Sequence, residues 1–194
     1  MGWIGMVGLW VGTMASGPDQ RLDLPRPDYR AEPSDPEWLG HAVQLHGHLG
    51  PAMVAGVRMG MAGLRAVGAK GYFDVEVTCK GPLARPPQSC LLDGVQIATG
   101  ATLGKRNLHW VEAKALAIRV RNTKTGKTVE VRPTPKLLEI LVAFWPQSEP
   151  HKPPTAPKAD HDRSDAALVQ TARRIATLPD AEILSVGPVA PQAH

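Results

Sequence analysis

Two histidines one residue apart, His46 and His48, stand in "LHGHLGPAMVAGVRMG", directly before a Gly-Pro step and a glycine-studded helical pattern. In an extended segment residues i and i+2 project to the same side, and a bend at Gly47 can converge both imidazoles on one ion. A pair is an incomplete zinc site, which wants a third or fourth nitrogen, sulfur or carboxylate donor. The best donors elsewhere are Cys90 and Asp93, one turn apart on an expected helix. The other reading of the pair is structural: two polar rings hydrogen-bonded around a helix start. Helix amides just beyond Pro51 offer an anion site as well.

A second dense stretch is "CLLDGVQIATGATLGKRNL", residues 90–108, where Cys90, Asp93, Gln96, Thr99, Thr102, Lys105 and Asn107 recur every three residues or so. Capping and turn chemistry accounts for Thr99 and Thr102 more readily than for Lys105 and Asn107. "GATLGK" is not a phosphate loop, because only three residues separate Gly100 from Gly104 and Arg106 follows Lys105 where Ser or Thr is needed. Cys90 beside either histidine would make a nucleophile and base, an arrangement that spacing alone does not decide.

These groups need elements to hold them. Residues 16–36 carry five prolines among many charges and read as an extended arm, with order expected from about Asp35. "SDPEWLGHAVQLHGH" offers Ser34 or Asp35 as an N-cap with Pro36 in the first turn. A helix over 51–67 places Met53, Val57, Met61 and Leu64 on one stripe. Gly56, Gly60 and Gly63 lie between them, each costing a helix about 1 kcal/mol, so another backbone is expected to approach closely. "YFDVEVTC" alternates as a strand, "GPLARPP" reads as a loop, and residues 89–99 form a helix capped by Ser89 and ended by Gly100. "AKALAIRVRN" and "TVEVRP" form a hairpin, and "TPKLLEILVAFW" a helix capped by Thr134. A proline-rich loop over 146–163 precedes a helix capped by Ser164, a turn at Pro179-Asp180 and a strand in "EILSVGPV". The irregular mixture predicts an α+β fold rather than a doubly wound sheet.

The 194 residues suit one domain, and 22 Lys plus Arg against 18 Asp plus Glu give a formal charge of +4. Basic residues thicken over 114–136, but aromatics are scarce there, so that run reads as a solvated sheet face and no nucleic-acid partner is expected. Cys79 and Cys90 form no disulfide framework or zinc-finger spacing, which favours a reducing, cytoplasmic setting. The apolar run "MGWIGMVGLWVGTMA" lacks a basic n-region, is too short to span a bilayer, and is read as an appendage upstream of a start at Met14. No membrane association is expected. The expected divisions are an arm over 1–35, a domain over 36–189 and a tail over 190–194.

In order, spacing and residue type, the two chemistry-bearing stretches resemble the E-subunit family of formylmethanofuran dehydrogenase, with its HGHxCPG segment before a helix and its C-x-x-D-x-x-Q-x-x-T-G-C-T-x-G-K-x-N-L segment after a strand. The matching positions are His46, Gly47, His48, Pro51, Gly56, Cys90, Asp93, Gln96, Thr99, Gly100, Thr102, Gly104, Lys105, Asn107 and Leu108. The likeness continues into "IATLPDAEILSVGPV". It implies an α+β fold with a mixed or antiparallel sheet, and a metal-associated site whose candidate ligands here are His46, His48 and Cys90. Asp93, Gln96, Thr102, Lys105 and Asn107 would line the pocket. Two family cysteines are replaced, by Gly50 and Ala101, and no cysteine lies beyond Cys90 for an appended zinc ribbon.

No pterin or iron-sulfur motif is evident. The expected role is therefore a zinc-binding accessory or small-ligand-binding module, as a homo-oligomer or beside an oxidoreductase or one-carbon enzyme. The rival is a small enzyme using the same pocket for acid-base chemistry on an anionic substrate held by Lys105.

Overall fold

The computed structural model describes residues 25–144 and 158–189, with side chains from 165 onward in the second span. The expectations for 1–24, for most of the proline-rich loop and for the tail fall outside these residues. A five-stranded mixed sheet runs in the order β2-β1-β3-β4-β5, made of Leu108–Glu112, Val75–Gly81, Ala117–Asn122, Thr128–Pro133 and Leu184–Gly187 respectively. β1 and β2 are parallel, in the register Val77 to Leu108, and every other neighbour is antiparallel. With its helices this is a single α+β domain, as the sequence predicts.

The central helix α2, Pro51–Val67, is buried along most of its length. It meets the sheet where a Cβ on Gly63 would stand 2.5 Å from Val120 Cγ2, while Met61 and Leu64 of the expected stripe are only half-buried. On another side it meets α3, Cys90–Thr99, backbone to backbone. A Cβ on Gly56 would fall 2.2 Å from Leu91 O, and one on Gly94 would fall 1.9 Å from Met53 O. Those distances are far inside any van der Waals contact, so only glycine fits either position; of the three helix glycines Gly56 meets the facing backbone, Gly60 meets the side chains of Ala98 and Thr99 on α3, and Gly63 meets Val120 on the sheet.

Elsewhere α1 spans Trp38–His46, α4 Pro135–Val142, α5 Lys158–Thr177 and the single turn α6 Asp180–Ile183. Thr134 does cap α4, its Oγ1 accepting from Leu137 N–H at 3.4 Å. Arg58 on α2 holds the end of α5, donating to the carbonyls of Ile175, Ala176 and Leu178 and to Asp180 Oδ1 at 2.5–2.7 Å. These are the carbonyls a helix C-terminus leaves without partners.

Several local readings change. α1 is entered at Glu37 without a side-chain cap, because Asp35 is occupied elsewhere. It accepts from Tyr29 Oη at 2.8 Å, Glu32 N at 2.9 Å and Arg173 Nε at 2.9 Å. Ser89 occupies its cap position without making the cap bond. Tyr72–Asp74 is a 3-10 turn, and the strand starts only at Val75. Asn107 Nδ2 takes the carbonyls of Tyr72 and Val75 at 2.6 and 2.8 Å, which folds the chain off the ladder there. Helix α5 begins six residues before Ser164, since "KADHDR" contains neither Gly nor Pro to break it. Strand β2 has no counterpart in the sequence reading.

Two outcomes follow from this packing. Gly94→Ala forces α2 and α3 apart and lowers unfolding free energy by about 3 kcal/mol or more, the upper range for overpacking, as urea denaturation would measure. Asp35 is 5% exposed at its side chain. Burial alone would raise its pKa, but bonds from Arg173, Glu32 N–H and Tyr29 outweigh that and hold it below 3.8. A depressed carboxyl contributes stability that is complete above its unfolded pKa and lost as pH falls through the folded value. Asp35→Asn therefore costs roughly 2 kcal/mol at pH 7, within the range for charged hydrogen bonds. Denaturation across the acid range should also show a shallower acid decline in that variant.

Candidate functional site

The site is set where α1 ends, α2 begins and α3 crosses both. Gly47 closes α1 at φ +94°, its N–H bonded to Val43 O, a conformation that favours glycine. The reversal brings the His48 ring against the His46 ring, with centroids 4.5 Å apart and planes tilted 39°. Gly50 then enters α2 in extended geometry ahead of Pro51. The bend at Gly47 thus sets the two rings in contact.

Across the glycine crossing, α3 presents Asp93. His46 Nδ1 lies 2.7 Å from Asp93 Oδ2, and the imidazole is 6% exposed. With the proton on Nδ1 facing the carboxylate, the Nε2 lone pair faces inward, where that atom is buried and has no hydrogen-bond partner. A carboxylate behind one ring nitrogen fixes the tautomer and raises the basicity of the other. His48 is held below the usual imidazole range, first by burial and then by the neighbouring His46. It is therefore neutral at physiological pH, the form that ligates metal.

Cys90 stands one turn before Asp93, at the start of α3. Burial pushes its thiol up and Asp93 pushes it further, against a smaller opposing effect of its own backbone N–H. Cys90 is thus a thiol at neutral pH, unlike an activated nucleophile. Cys79 is fully buried on β1 and pushed up to about 12 by burial, so it serves as packing.

A cleft of about 440 Å³ opens beside these groups. His46, Cys90, Asp93 and Gln96 line it together with Pro86, Ser89 and Leu92. Leu103 and, from β2, Leu108, His109 and Trp110 complete the lining. The sequence does not single out Pro86, Ser89 and Leu92 around the start of α3, nor the residues on β2 and the turn before it; for the latter the tryptophan inside "NLHWVE" is the available signal.

Thr102, Lys105 and Asn107 are not among the lining residues. They tie the turn before β2: Thr102 N–H donates to Asn107 Oδ1 at 3.0 Å, and Lys105 N–H to Thr102 Oγ1 at 3.2 Å. The Lys105 ammonium sits 5.8 Å over the Phe73 ring. The lining therefore contains no Lys or Arg to hold an anion.

Among the described residues no three His, Cys, Asp or Glu side chains are grouped closely enough to hold a metal ion. The donor set nevertheless fits one in two respects, the orphaned His46 Nε2 backed by Asp93 and the neutral His48 ring against it. The absence of a cysteine at position 50 is felt at this point, because a Cβ there would stand 3.2 Å from His48 Nε2.

A family model described as "FmdE, Molybdenum formylmethanofuran dehydrogenase operon" matches residues 45–185. A protein of Archaeoglobus fulgidus described as "Probable S-adenosyl-L-methionine-binding protein" is 32% identical over 93 residues, 48% of this chain and 25% of that protein. The chain thus spans about a quarter of the length of this curated relative. The crystal structure of a tungsten formylmethanofuran dehydrogenase FmdE-like protein from Syntrophus aciditrophicus superposes with a TM-score of 0.51 at 17% identity. It covers 80% of this chain and 72% of that one. At that identity the likeness speaks for the fold.

The thiol's surroundings can be tested directly. The rate of Cys90 alkylation by iodoacetamide should rise with pH toward a midpoint above 9.0, the ordinary value for a cysteine. In Asp93→Asn the midpoint moves down and the rate at neutral pH rises by up to about tenfold, the factor that one pKa unit confers.

Proposed function

The chain belongs to the FmdE family, whose model matches it over residues 45–185, and on that premise we propose that it is an accessory protein holding a divalent metal, zinc, with His46, His48 and Cys90. The observation that carries the reading is the buried, unpartnered Nε2 of His46 with Asp93 bonded to the opposite ring nitrogen. A lone pair in that position is costly without a partner, and carboxylate-backed imidazole is the usual arrangement of a metal-ligating histidine. Bound zinc would supply Lewis acidity at the inner end of the cleft.

The chain's own residues do the rest. Asp93 orients His46, Gly47 folds His48 onto it, and Cys90 yields its proton when it ligates. Leu103, Leu108 and Trp110 give the cleft an apolar wall. With Asp93 and Trp110 in its lining and no Lys or Arg, the cleft suits a small neutral or cationic ligand. The S-adenosyl-L-methionine named for the Archaeoglobus relative carries a cationic sulfonium and an aromatic base, and it supports that ligand class.

The operon in the family description supports an oxidoreductase handling a one-carbon unit as the partner. The two free cysteines support a reducing cytoplasm, and no helix among the described residues is long and apolar enough to cross a membrane.

Metal content by inductively coupled plasma mass spectrometry tests the proposal, on protein purified without chelator. The wild type should carry near-stoichiometric zinc. A His46→Ala/His48→Ala variant with unchanged circular dichroism should carry none, and Asp93→Asn should bind about 10- to 100-fold more weakly, the usual cost of losing such a partner. Gly50→Cys should hold zinc more tightly, because its Cβ falls beside His48 Nε2. Equal metal content in the wild type and the double variant would overturn the assignment.

A further inference from the structure

The two edges of the sheet are finished differently. β5 is four residues long and runs into Pro188, which has no N–H to offer a new strand. β2, "LHWVE", has no proline, lysine or bulge. Its inner side is spoken for: Val77 N–H donates to Asn107 O at 2.8 Å and Ala113 N–H to Gly81 O at 3.3 Å. Residues 107, 109, 111 and 113 thus aim their backbone groups at β1. By alternation, the N–H and C=O of Leu108, Trp110 and Glu112 face the open edge.

The side chains around that edge are apolar and open to solvent, with Leu103 75%, Val111 51% and Trp110 43% exposed. A strand with free backbone groups and an apolar, aromatic surround has the composition of an interface core.

We propose that β2 is the dimer interface of this protein, pairing antiparallel with β2 of a second copy to make one ten-stranded sheet. The strand is complementary to itself. Under a two-fold axis normal to the sheet and centred on His109, Leu108 faces the second copy's Trp110, and Glu112 comes level with its Arg106. Each pairing occurs twice. Within the strand, Leu108 and Trp110 are the residues so paired and their backbone groups face outward, so the ladder closes without moving β1; Arg106 lies in the turn before the strand, its N–H bonded to Leu103 O, and meets Glu112 through its side chain alone. The axis also leaves α2 on the same face of the sheet in both copies, and the two clefts, each lined by its own Trp110 and His109, flank the junction.

Size-exclusion chromatography with multi-angle light scattering over a dilution series is the test. The wild type should run at twice the chain mass of 20.8 kDa. Trp110→Lys and Glu112→Arg should each shift it toward the single-chain mass, raising the dissociation constant by roughly tenfold or more, the factor conferred by 1.4 kcal/mol. Trp110 Nε1 also donates to Gly81 O, so the exposed Glu112→Arg carries the test if Trp110→Lys disturbs folding by circular dichroism. Arg106→Glu should weaken the dimer alone, and Arg106→Glu/Glu112→Arg together should restore it.

A wild type that stays at the single-chain mass throughout overturns the proposal, as does a dimer indifferent to Glu112→Arg. Single charge variants that dissociate without rescue by the pair overturn the His109-centred register. None of these outcomes depends on metal at His46.

Discussion

The backbone contact between α2 and α3 at Gly56 and Gly94 is the constraint on which the rest of the structure depends. A methyl group at either position would intrude on a carbonyl oxygen of the facing helix, so the crossing distance is fixed by the absence of side chains and not by their interdigitation. That distance lets Asp93, at the start of one helix, reach a histidine at the end of another. Interiors are packed densely enough that a shift of one methyl group is felt by neighbouring residues. The His46–Asp93 bond is therefore a consequence of two glycines rather than an independent contact.

The second support comes from the far end of the chain. Arg58 projects from α2 and satisfies the final carbonyls of α5, while Arg173 on α5 reaches back to Asp35, Glu32 and the carbonyl of Arg30. Arg58 clamps α5 to the central helix, and Arg173 clamps the arm before α1 to α5. Both are largely buried, with side chains 11% and 18% exposed. In a planar fork with several donors, each can serve a carboxylate and carbonyls at once, which an ammonium on a flexible stem does less well. α1 therefore enters its helix already tied, and the missing cap at Glu37 is offset by a network a few residues upstream.

Local chemistry was legible in the sequence wherever one residue determines it. Pro51 and Pro135 mark helix starts, Gly100 ends α3 at a positive φ, and the α2 glycines announce a close approach. The contact between the His46 and His48 rings follows from the turn at Gly47 for the same reason. What escaped was fixed by partners distant in sequence. Asp35 reads as a cap until Arg173, 138 residues away, is found to hold it. Tyr72 and Phe73 read as strand until Asn107 draws off the carbonyls of Tyr72 and Val75. Strand β2 is short and flanked by a turn, and its parallel pairing with β1 leaves no hairpin signature between them. The β2 side of the cleft is therefore not readable locally, and Lys105 ties the turn before β2 and does not line the cleft.

The replaced family cysteines sharpen the roles of what remains. Position 50 is extended backbone that a cysteine could adopt without strain, and its Cβ would lie at His48 Nε2; position 101 is fully buried. A thiol at position 50 would add a sulfur donor beside His48. Without the family cysteines the groups that remain are two imidazoles and a thiol whose proton is retained, and the same Asp93 that bonds His46 Nδ1 makes Cys90 harder to ionise. A divalent cation held by His46 and Cys90 would reverse that antagonism, because its charge would stabilise the thiolate. One carboxylate thus faces both groups, and under the proposed metal binding the ionisation of Cys90 would report whether the His46 lone pair is engaged.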